Sequence, residues 1–328
     1  MTFRAFAAFE AEDGSFFRRI VERNVADLPE GDTLIRVVYS SLNYKDALSA
    51  SGNRGITKHY PHTPGIDAAG FVVESPVFSI GEQVLVTGYD LGMNTSGGFG
   101  EYVRVPSSWV LKRPEGLSLM ECMIYGTAGL TAGLSVSKLV ECGISPESGE
   151  ILVTGATGGV GLFALGMLAK MGFRVAASSG KKDAEPLLKS LGAKDVVPRE
   201  EEASPKPLLK GRWAGVVDTV GGEILVNALK STQYGGVVTC CGMVASTEFR
   251  TSIFPFILRG VSLHGIDAAQ CPMASRKRTW EMLSGEWKPG NLDRFHATCT
   301  LEELDGKIES MLSGKSLGRV VVSHHSPP

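Results

Sequence analysis

The stretch that decides the fold is Thr154-Gly155-Ala156-Thr157-Gly158-Gly159-Val160-Gly161, which joins an apolar run to a predicted helix. The apolar run, residues 150–154, is typical of a strand buried on both faces, and the helix is predicted over residues 160–171. Glycine permits the sharp turn between them and lets backbone N–H groups approach a pyrophosphate, which the helix N-terminus also favours. This context predicts a dinucleotide site with contacts from Thr157, Gly158, Gly159 and Val160.

Predicted strands and helices alternate after this turn. The strands are predicted at residues 173–177, 195–197, 215–219, 236–241 and 262–266, and the helices at residues 184–191 and 223–231. The alternation predicts an α/β fold with a doubly wound parallel sheet of the Rossmann type. Ligands of such sheets lie at the carboxyl ends of the strands, so Cys241, Gly242 and Ile266 are also expected to contact the cofactor.

The residues at the end of the second strand indicate which nucleotide is bound. An NAD site normally has Asp or Glu there to bind the ribose 2′-hydroxyl. Here the strand ends in Ser178-Ser179-Gly180-Lys181 without a carboxylate, and Arg199 follows the third strand. Ser179, Gly180, Lys181 and Arg199 are therefore expected around a 2′-phosphate, and the sequence favours NADP(H) over NAD(H).

Residues 1–120 have a different character, with short β-type runs separated by turns rich in Gly, Pro, Asn and Ser. The strongest strand signal is residues 33–39 (TLIRVVY), and the chain returns to mixed structure after residue 270. We therefore predict boundaries after residues 122 and 269, with an NADP-binding Rossmann domain formed by residues 123–269.

Composition limits the classes of function. The 328 residues include 33 Lys and Arg against 35 Asp and Glu, so no basic excess indicates nucleic acid as a partner. The six cysteines form no CxxC pair and no zinc-binding spacing. The N-terminal residues lack a signal-peptide core and no apolar run reaches about 18 residues, so we expect a cytoplasmic protein without membrane contact.

Four further motifs resemble a known family: Ser41-Leu42-Asn43-Tyr44-Lys45-Asp46, Thr63-Pro64-Gly65-Ile66-Asp67-Ala68-Ala69-Gly70, Ser96-Gly97-Gly98-Phe99-Gly100-Glu101-Tyr102 and Gly126-Thr127-Ala128-Gly129-Leu130-Thr131-Ala132. Over essentially the whole chain, the sequence is similar to the medium-chain dehydrogenase/reductase superfamily. The motifs resemble its zinc-free YhdH/AcuI branch of acryloyl-CoA reductases, often labelled quinone oxidoreductases. This resemblance implies that residues 1–122 and 270–328 together form a β-rich, GroES-like catalytic domain, in addition to the Rossmann domain.

The resemblance also shows where this chain departs from zinc alcohol dehydrogenases. Those enzymes carry a cysteine ligand near the position of Asn43 and a Gly-His-Glu where this chain has Gly65-Ile66-Asp67. Zinc needs about four nitrogen, sulfur or oxygen ligands, so we expect neither a catalytic nor a structural metal. Reduction of an activated C=C bond is then the expected chemistry, rather than alcohol oxidation.

The predicted catalytic residues are Asn43, Tyr44, Lys45 and Asp46, four functional side chains in a predicted loop after the strand at residues 33–39. The resemblance implies that Tyr44 also contacts the cofactor, and that Gly318 and Arg319 lie near it. The alternative interpretation is that Tyr44 packs in the core and that Lys45 and Asp46 form a surface ion pair. Asp67 is a further candidate, and the alternative for it is a hydrogen bond to backbone in a turn.

The resulting hypothesis is NADPH-dependent reduction of an α,β-unsaturated acyl-CoA, such as acryloyl-CoA to propanoyl-CoA. The alternatives are an NADPH quinone reductase or 2-alkenal reductase, and a non-enzymatic crystallin-like binding protein. Two groups of basic residues are candidates for the CoA phosphates, namely Arg54, Lys58 and His59, and Arg276, Lys277 and Arg278. A homodimer is expected, paired through the edge strand at residues 262–266.

Overall fold

The computed structural model describes residues 1–199, 202, 204–290 and 292–324. The strands are β1 Thr2–Glu10, β2 Phe16–Asn24, β3 Thr33–Leu42, β4 Asp67–Glu74, β5 Gln83–Thr87, β6 Tyr102–Val105, β7 Leu111–Lys112, β8 Glu150–Val153, β9 Arg174–Ser179, β10 Asp195–Pro198, β11 Trp213–Asp218, β12 Thr232–Cys240, β13 Ser262–Gly265, β14 His296–Cys299 and β15 Arg319–Ser323. The helices are α1 Tyr44–Ala50, α2 Leu119–Glu141, α3 Gly159–Lys170, α4 Glu185–Ser190, α5 Gly222–Lys230, α6 Phe254–Arg259, α7 Met273–Ser284 and α8 Leu304–Leu312.

The backbone divides into two compact units. The first unit contains Met1–Thr127, Ala269–Ser284 and Asn291–Pro328, and the second contains Ala128–Ala268 and Gly285–Gly290. The domain boundaries predicted above lie after residues 122 and 269. The units of the structure divide after Thr127 and after Ala268, and Gly285–Gly290 groups with the second unit.

The second unit is built on six parallel strands in the order β10-β9-β8-β11-β12-β13. Strand β8 is central and its residues Ile151, Leu152 and Val153 are all buried, as the continuous apolar run predicted. Helix α3 follows it and buries eight of its twelve residues. The doubly wound parallel sheet predicted from the sequence is confirmed.

The first unit is rich in β-structure. Its seven-stranded sheet has the order β14-β15-β3-β4-β5-β7, with β6 also paired to β3, and β1 and β2 form a separate two-stranded sheet. Strand β3 is the centre of this arrangement because β15, β4 and β6 all pair with it. One side is packed by a buried cluster that includes Leu42, Ala47, Phe99 and Leu304. This is the β-rich fold that the family resemblance implied.

The segment after β3 differs from the prediction. Residues 44–46 were expected in a loop, but helix α1 begins at Tyr44 and Asn43 is its N-cap residue. The Asp46 carboxylate accepts a hydrogen bond from the Asn43 backbone N–H at 2.8 Å, and the Asp46 backbone N–H donates to the Asn43 carbonyl at 3.0 Å, so the two residues close the first turn. The prediction was wrong because a helix of seven residues is too short to show apolar periodicity.

Helix α2 is bent sharply at Gly126, whose φ of 50° and ψ of −154° are not helical. By length and composition alone α2 would be able to cross a membrane, but 78% of its most apolar stretch is buried inside the protein. Burial of that extent is what the core helix of a folded protein shows, so α2 is weak support for a membrane span.

Candidate functional site

The first turn of α1 presents the four predicted catalytic residues in two directions. Tyr44 is 41% exposed and Lys45 is partly exposed, whereas Asn43 and Asp46 are buried. Positions three apart lie on one face of a helix, so Asn43 and Asp46 share the inner face. The phenol of Tyr44 and the ammonium of Lys45 are therefore the two groups that remain available to a ligand. The structure thus excludes the alternative in which Tyr44 is core and Lys45 pairs with Asp46.

Asp46 fixes helix α1 to the backbone segment that precedes β4. Its Oδ1 accepts hydrogen bonds from the backbone N–H groups of Gly65, at 3.1 Å, and Ile66, at 2.8 Å, and its Oδ2 accepts from the Asn43 side chain at 3.1 Å. Loss of hydration, and then the neighbouring charge of Asp67, raise the pKa of Asp46 to about 7. Its carboxyl group is fully occupied inside the unit, so it supports the site without reaching a substrate.

Asp67, at the start of β4, is the centre of a buried polar network. Its Oδ2 accepts hydrogen bonds from Ser41 Oγ at 2.6 Å and from Asn43 Nδ2 at 2.8 Å. Its Oδ1 accepts from Thr127 Oγ1 at 2.6 Å and from the Thr127 backbone N–H at 2.9 Å. The carboxylate therefore joins the end of β3, the start of α1 and the bend in α2. Sequence reasoning missed Ser41 and Thr127, although both stand in the motifs that carry the family resemblance.

Arg319, the first residue of β15, is 3% exposed and completes this network. Its Nη2 donates to Ser41 Oγ at 2.8 Å and lies 3.7 Å from Asp67 Oδ2. Burial lowers the pKa of its guanidinium. Gly318 precedes it at φ 67°, where a residue with a side chain would be strained. The guanidinium is bound to acceptors of the first unit, and its role as a cofactor contact stays a prediction, as does that of Gly318.

Gly126 is required for the network to close. A Cβ at this position would lie 2.4 Å from Asp67 Oδ2 and 2.6 Å from Ser41 Oγ. Its positive φ also disfavours any residue other than glycine. The bend in α2 therefore exists because the backbone must pass directly over the carboxylate.

The glycine-rich turn of the second unit has the predicted shape. Gly155 has a φ of 58°, and a Cβ on Gly161 would lie 2.4 Å from the Gly155 carbonyl oxygen. Gly158 is the N-cap of α3, with Gly159 and Val160 forming the first turn of the helix. The N-cap residue is a glycine and has no side chain to cap α3, so the first N–H groups of the helix are open to an anion.

The predicted 2′-phosphate residues lie together at the ends of β9 and β10. Ser179 Oγ lies 3.2 Å from Thr157 Oγ1 and accepts a hydrogen bond from the Lys181 backbone N–H at 3.0 Å. A Cβ on Gly180 would lie 3.4 Å from Arg199 Cδ, so the arginine side chain passes next to this turn. Partial burial lowers the pKa of Lys181. The structure thus gathers two cationic side chains and two hydroxyl groups beside the glycine-rich turn.

The remaining predicted contacts follow β12 and β13. The Cys241 backbone N–H donates to the Asp218 carbonyl at 3.0 Å, and the Ile266 N–H donates to the Cys240 carbonyl at 2.9 Å. A Cβ on Gly242 would lie 1.9 Å from the Thr219 carbonyl oxygen, so only glycine fits there. All of these residues lie at the carboxyl ends of parallel strands, the edge at which such sheets bind ligands.

A cavity of about 290 Å³ lies in the second unit near the predicted 2′-phosphate residues. Its walls include Leu152 and Val197 of the sheet and Ile224 of α5. Ser178 and Pro198 also line it and directly precede Ser179 and Arg199. Polar residues also line the cavity, among them Thr154, Asn227 and Arg212.

The two basic groups predicted for the CoA phosphates differ in exposure. Arg276 is fully buried and donates to the carbonyl oxygens of Thr87, at 2.6 Å, and Ala269, at 3.1 Å, so its candidacy for a CoA phosphate was wrong, whereas Lys277 and Arg278 are exposed. Arg54 is bound to Glu10 and to the Lys58 carbonyl. Lys58 and His59 are exposed.

Comparison with known proteins places these features in a family. The family "Alcohol dehydrogenase GroES-like domain" matches residues 29–115, and "Zinc-binding dehydrogenase" matches residues 159–284. "Putative quinone oxidoreductase YhfP" of Bacillus subtilis is 47% identical over 90% of this chain and 91% of that protein. The chain belongs to the medium-chain dehydrogenase/reductase superfamily, in the YhfP/AcuI/YhdH branch. It is therefore an oxidoreductase, and the resemblance stated above is confirmed.

Two further relatives in this branch bear on the chemistry. "Probable acrylyl-CoA reductase AcuI" of Escherichia coli K12 is 41% identical over 95% of this chain and 97% of that protein. The structure of the YhdH oxidoreductase from Salmonella enterica in complex with NADP has a TM-score of 0.95 at 40% identity, over 98% of this chain and 100% of that one. A structure of B. subtilis YhfP contains NAD instead. Relatives of this chain thus bind either nicotinamide dinucleotide.

The residues at the start of α1 do not fit the zinc ion that one of the family names implies. Across the described ranges, no three His, Cys, Asp or Glu side chains gather where a metal ion would be held. The two carboxylates at this position, Asp46 and Asp67, accept hydrogen bonds from backbone and side-chain donors. Arg319 already places a positive charge 3.7 Å from Asp67. A divalent cation would have to displace these donors and would be repelled by the guanidinium.

Proposed function

We propose that this protein uses NADPH to reduce the C=C bond of an α,β-unsaturated acyl-CoA, such as acryloyl-CoA to propanoyl-CoA. The observation that carries the proposal is the first turn of α1, where Tyr44 and Lys45 face outward above a buried and internally satisfied network. Such a turn offers two hydrogen-bond donors, one of them cationic, to a substrate oxygen. The similarity to proteins named acrylyl-CoA reductase supports the same acceptor.

The chemistry needs a donor at the thioester oxygen. NADPH, when bound, supplies the hydride that the β-carbon of the substrate accepts. Negative charge then develops on the thioester oxygen as an enolate, and a proton added to the α-carbon completes the saturated product. We assign Lys45 to stabilise that oxygen and Tyr44 to orient the substrate, because preorganised donors at a developing oxyanion lower the barrier. The protein's own residues thus orient the substrate and place a positive charge near its thioester oxygen.

The second unit provides the residues for the dinucleotide. We assign the pyrophosphate to the turn formed by Thr157, Gly158, Gly159 and Val160, where the first N–H groups of α3 are uncapped. We assign the 2′-phosphate of NADPH to Ser179, Gly180, Lys181 and Arg199, and the nicotinamide half to Cys241, Gly242 and Ile266. The end of β9 has Ser178, Ser179, Gly180 and Lys181 where an NAD site normally has a carboxylate, which favours NADPH over NADH.

The CoA portion of the substrate is anionic, and we propose that Lys58 and His59 bind its phosphates. Both side chains are exposed and lie in the loop that follows α1. Arg54 is engaged with Glu10 and with the Lys58 carbonyl, so its contribution is to hold the loop in shape.

A quinone or 2-alkenal reductase is the second candidate function. The relative with 47% identity carries a quinone oxidoreductase name, and the same donors at α1 would serve a quinone oxygen. Purified protein should be mixed with NADPH and either acryloyl-CoA, a simple quinone or a 2-alkenal, and loss of NADPH absorbance followed. The proposal expects fast turnover with acryloyl-CoA and slow turnover with NADH. Turnover with the quinone alone would assign the second function, and no NADPH binding at all would favour a non-enzymatic role.

We also propose that the protein is a cytoplasmic homodimer. Strand β13 is the edge of the six-stranded sheet, and the neighbouring helix α6 exposes Phe254, Ile257 and Leu258. An uncovered edge beside exposed apolar side chains favours pairing with a second copy. Light scattering at micromolar concentration should give twice the monomer mass of 34.9 kDa, and a monomer would contradict this proposal.

A further inference from the structure

One arginine connects most of the segments that meet below the first turn of α1. Arg319 Nε donates to the Ile124 carbonyl at 3.1 Å, and Nη1 donates to the Leu42 carbonyl at 3.0 Å and to Asn43 Oδ1 at 3.1 Å. Its third nitrogen donates to Ser41 Oγ. The guanidinium therefore reaches the end of β3, the N-cap of α1 and the first half of α2 from β15.

We infer that Arg319 is a positioning residue that acts through Asn43 and Asp67 to hold the first turn of α1, and so keeps Tyr44 and Lys45 facing the substrate. The inference rests on the proposed function for the roles of Tyr44 and Lys45. The positive charge beside Asp67 is thus supplied by the guanidinium of Arg319, at a position where the surrounding residues do not fit a metal ion.

The orientation of Asn43 shows how this control is exerted. Both ends of its side-chain amide are bound: Oδ1 accepts from Arg319, and Nδ2 donates to Asp67 and Asp46. The Asn43 backbone N–H is bound to Asp46 as well. The side chain of the N-cap residue is therefore held by Arg319 itself and by the carboxylate that lies beside it, Asp67, and Tyr44 is the next residue along the chain.

Charge balance gives Arg319 a second effect. The network buries two carboxylates, Asp46 and Asp67, against this single guanidinium, which has 3% exposure. The other groups that face Asp46 are uncharged, namely the backbone N–H groups of Gly65 and Ile66 and the Asn43 amide. Without the cation, the two carboxylates would repel each other and Asp46 would hold its proton to higher pH.

Three variants of Arg319 separate the contributions of its planar guanidinium, its charge and its volume. Arg319→Lys keeps the charge and loses the planar fork, Arg319→Met keeps the volume and loses the charge, and Arg319→Ala leaves space for a free guanidinium ion. For Arg319→Met we expect kcat to fall about 10–100-fold, as for removal of a supporting residue behind a catalytic group, with a smaller change in KM for NADPH. We expect Arg319→Lys to recover only part of the loss.

Two measurements distinguish a role of Arg319 in positioning α1 from a role in stability alone. In Arg319→Met, the acid limb of the pH profile of kcat/KM should move to higher pH. In Arg319→Ala, millimolar guanidinium chloride below denaturing concentration should raise kcat, whereas equal urea or sodium chloride should not. Arg276→Ala is the matched control, since Arg276 is an equally buried arginine of the same unit and donates to the carbonyl groups of Thr87 and Ala269. It should lose stability without a shifted pH profile or rescue by guanidinium.

The inference is overturned if the folded Arg319 variants keep the wild-type kcat, or if their loss shows neither the pH shift nor guanidinium rescue. The kinetics are run with whichever acceptor the wild-type protein reduces. A wild type that reduces a quinone instead of acryloyl-CoA would therefore overturn the proposed substrate while the Arg319 test proceeds unchanged.

Discussion

Asp67→Asn tests the buried network most sharply, because the substitution keeps the shape of the side chain and removes its charge. Three residues donate to the carboxylate: Ser41 and Asn43 bind Oδ2, the Thr127 hydroxyl binds Oδ1, and the Thr127 backbone N–H is shared between the two oxygens. An asparagine retains one acceptor oxygen and places an NH₂ group against the remaining donors. An NH₂ group in the place of Oδ2 loses the charge-assisted bonds from Ser41 and Asn43, and in the place of Oδ1 it loses at least the bond from the Thr127 hydroxyl.

The magnitude follows from those lost bonds and from Arg319. Hydrogen bonds to a charged group are worth about 1.5–3 kcal/mol each, and removal of one partner of a buried ion pair costs about 3–5 kcal/mol. The hydrogen-bond and ion-pair energies overlap because the Asp67 carboxylate takes part in both interactions. Removing its charge also relieves its repulsion with Asp46, which offsets part of the lost stability. We expect a reduction of about 3–5 kcal/mol in the free energy of unfolding, or a fall in Tm of roughly 6–20 °C.

Urea and thermal unfolding of wild type and Asp67→Asn measure this reduction directly. Asp13→Asn is the control, since Asp13 is an exposed carboxylate whose hydrogen-bond partner is Ser15 in the same turn. It should change the free energy of unfolding by well under 1 kcal/mol. A loss for Asp67→Asn as small as that of the control would refute the network as a source of stability.

Three further predictions concern the turn of α1, its pH dependence and the cofactor. Lys45→Met should lower kcat by about 100-fold with little loss of stability, whereas Tyr44→Phe should mainly raise the KM for the acceptor. Steady-state kinetics measure both parameters. An unchanged kcat for Lys45→Met would contradict the role assigned to Lys45. The pKa of Asp46 is about 7 in the folded protein and about 4 in the unfolded chain, so the folded state binds more protons between these values and this contribution to stability falls as pH rises from about 4 to about 7. As pH rises from about 4 to about 7, the free energy of unfolding of Asp46→Asn should therefore increase relative to that of wild type. A difference between the two proteins that does not change with pH would contradict the raised pKa of Asp46. Ser179→Asp should reduce kcat/KM for NADPH relative to NADH by about tenfold or more through repulsion of the 2′-phosphate, and an unchanged ratio would place the 2′-phosphate elsewhere.

Local sequence patterns predicted the second unit well. The turn from Gly155 to Gly161 follows an unbroken apolar strand, and each consequence of that pattern concerns residues close in sequence. The grouping of Ser179 with Lys181 and Arg199 follows from parallel-strand order, because adjacent strands end at the same edge. Parallel order is itself predictable from alternating strands and helices.

The buried network of the first unit was not predictable in the same way. Its bonds join residues far apart in sequence, and the Arg319–Ser41 bond spans 278 positions. An arginine beginning a C-terminal strand gives no local sign that its charge will be buried, since arginine is mostly exposed in folded proteins. The one available local signal was Asn43 followed three residues later by Asp46, a spacing typical of a helix start.

The central claim is that the chain transfers a hydride from NADPH to the β-carbon of an acyl-CoA double bond. NADPH carrying deuterium at C4, on the face that is transferred, should be incubated with the protein and acryloyl-CoA, and the product examined by mass spectrometry and NMR. The account predicts propanoyl-CoA with one deuterium on its β-carbon. Formation of no propanoyl-CoA, or of propanoyl-CoA with its β-carbon unlabelled, would contradict it.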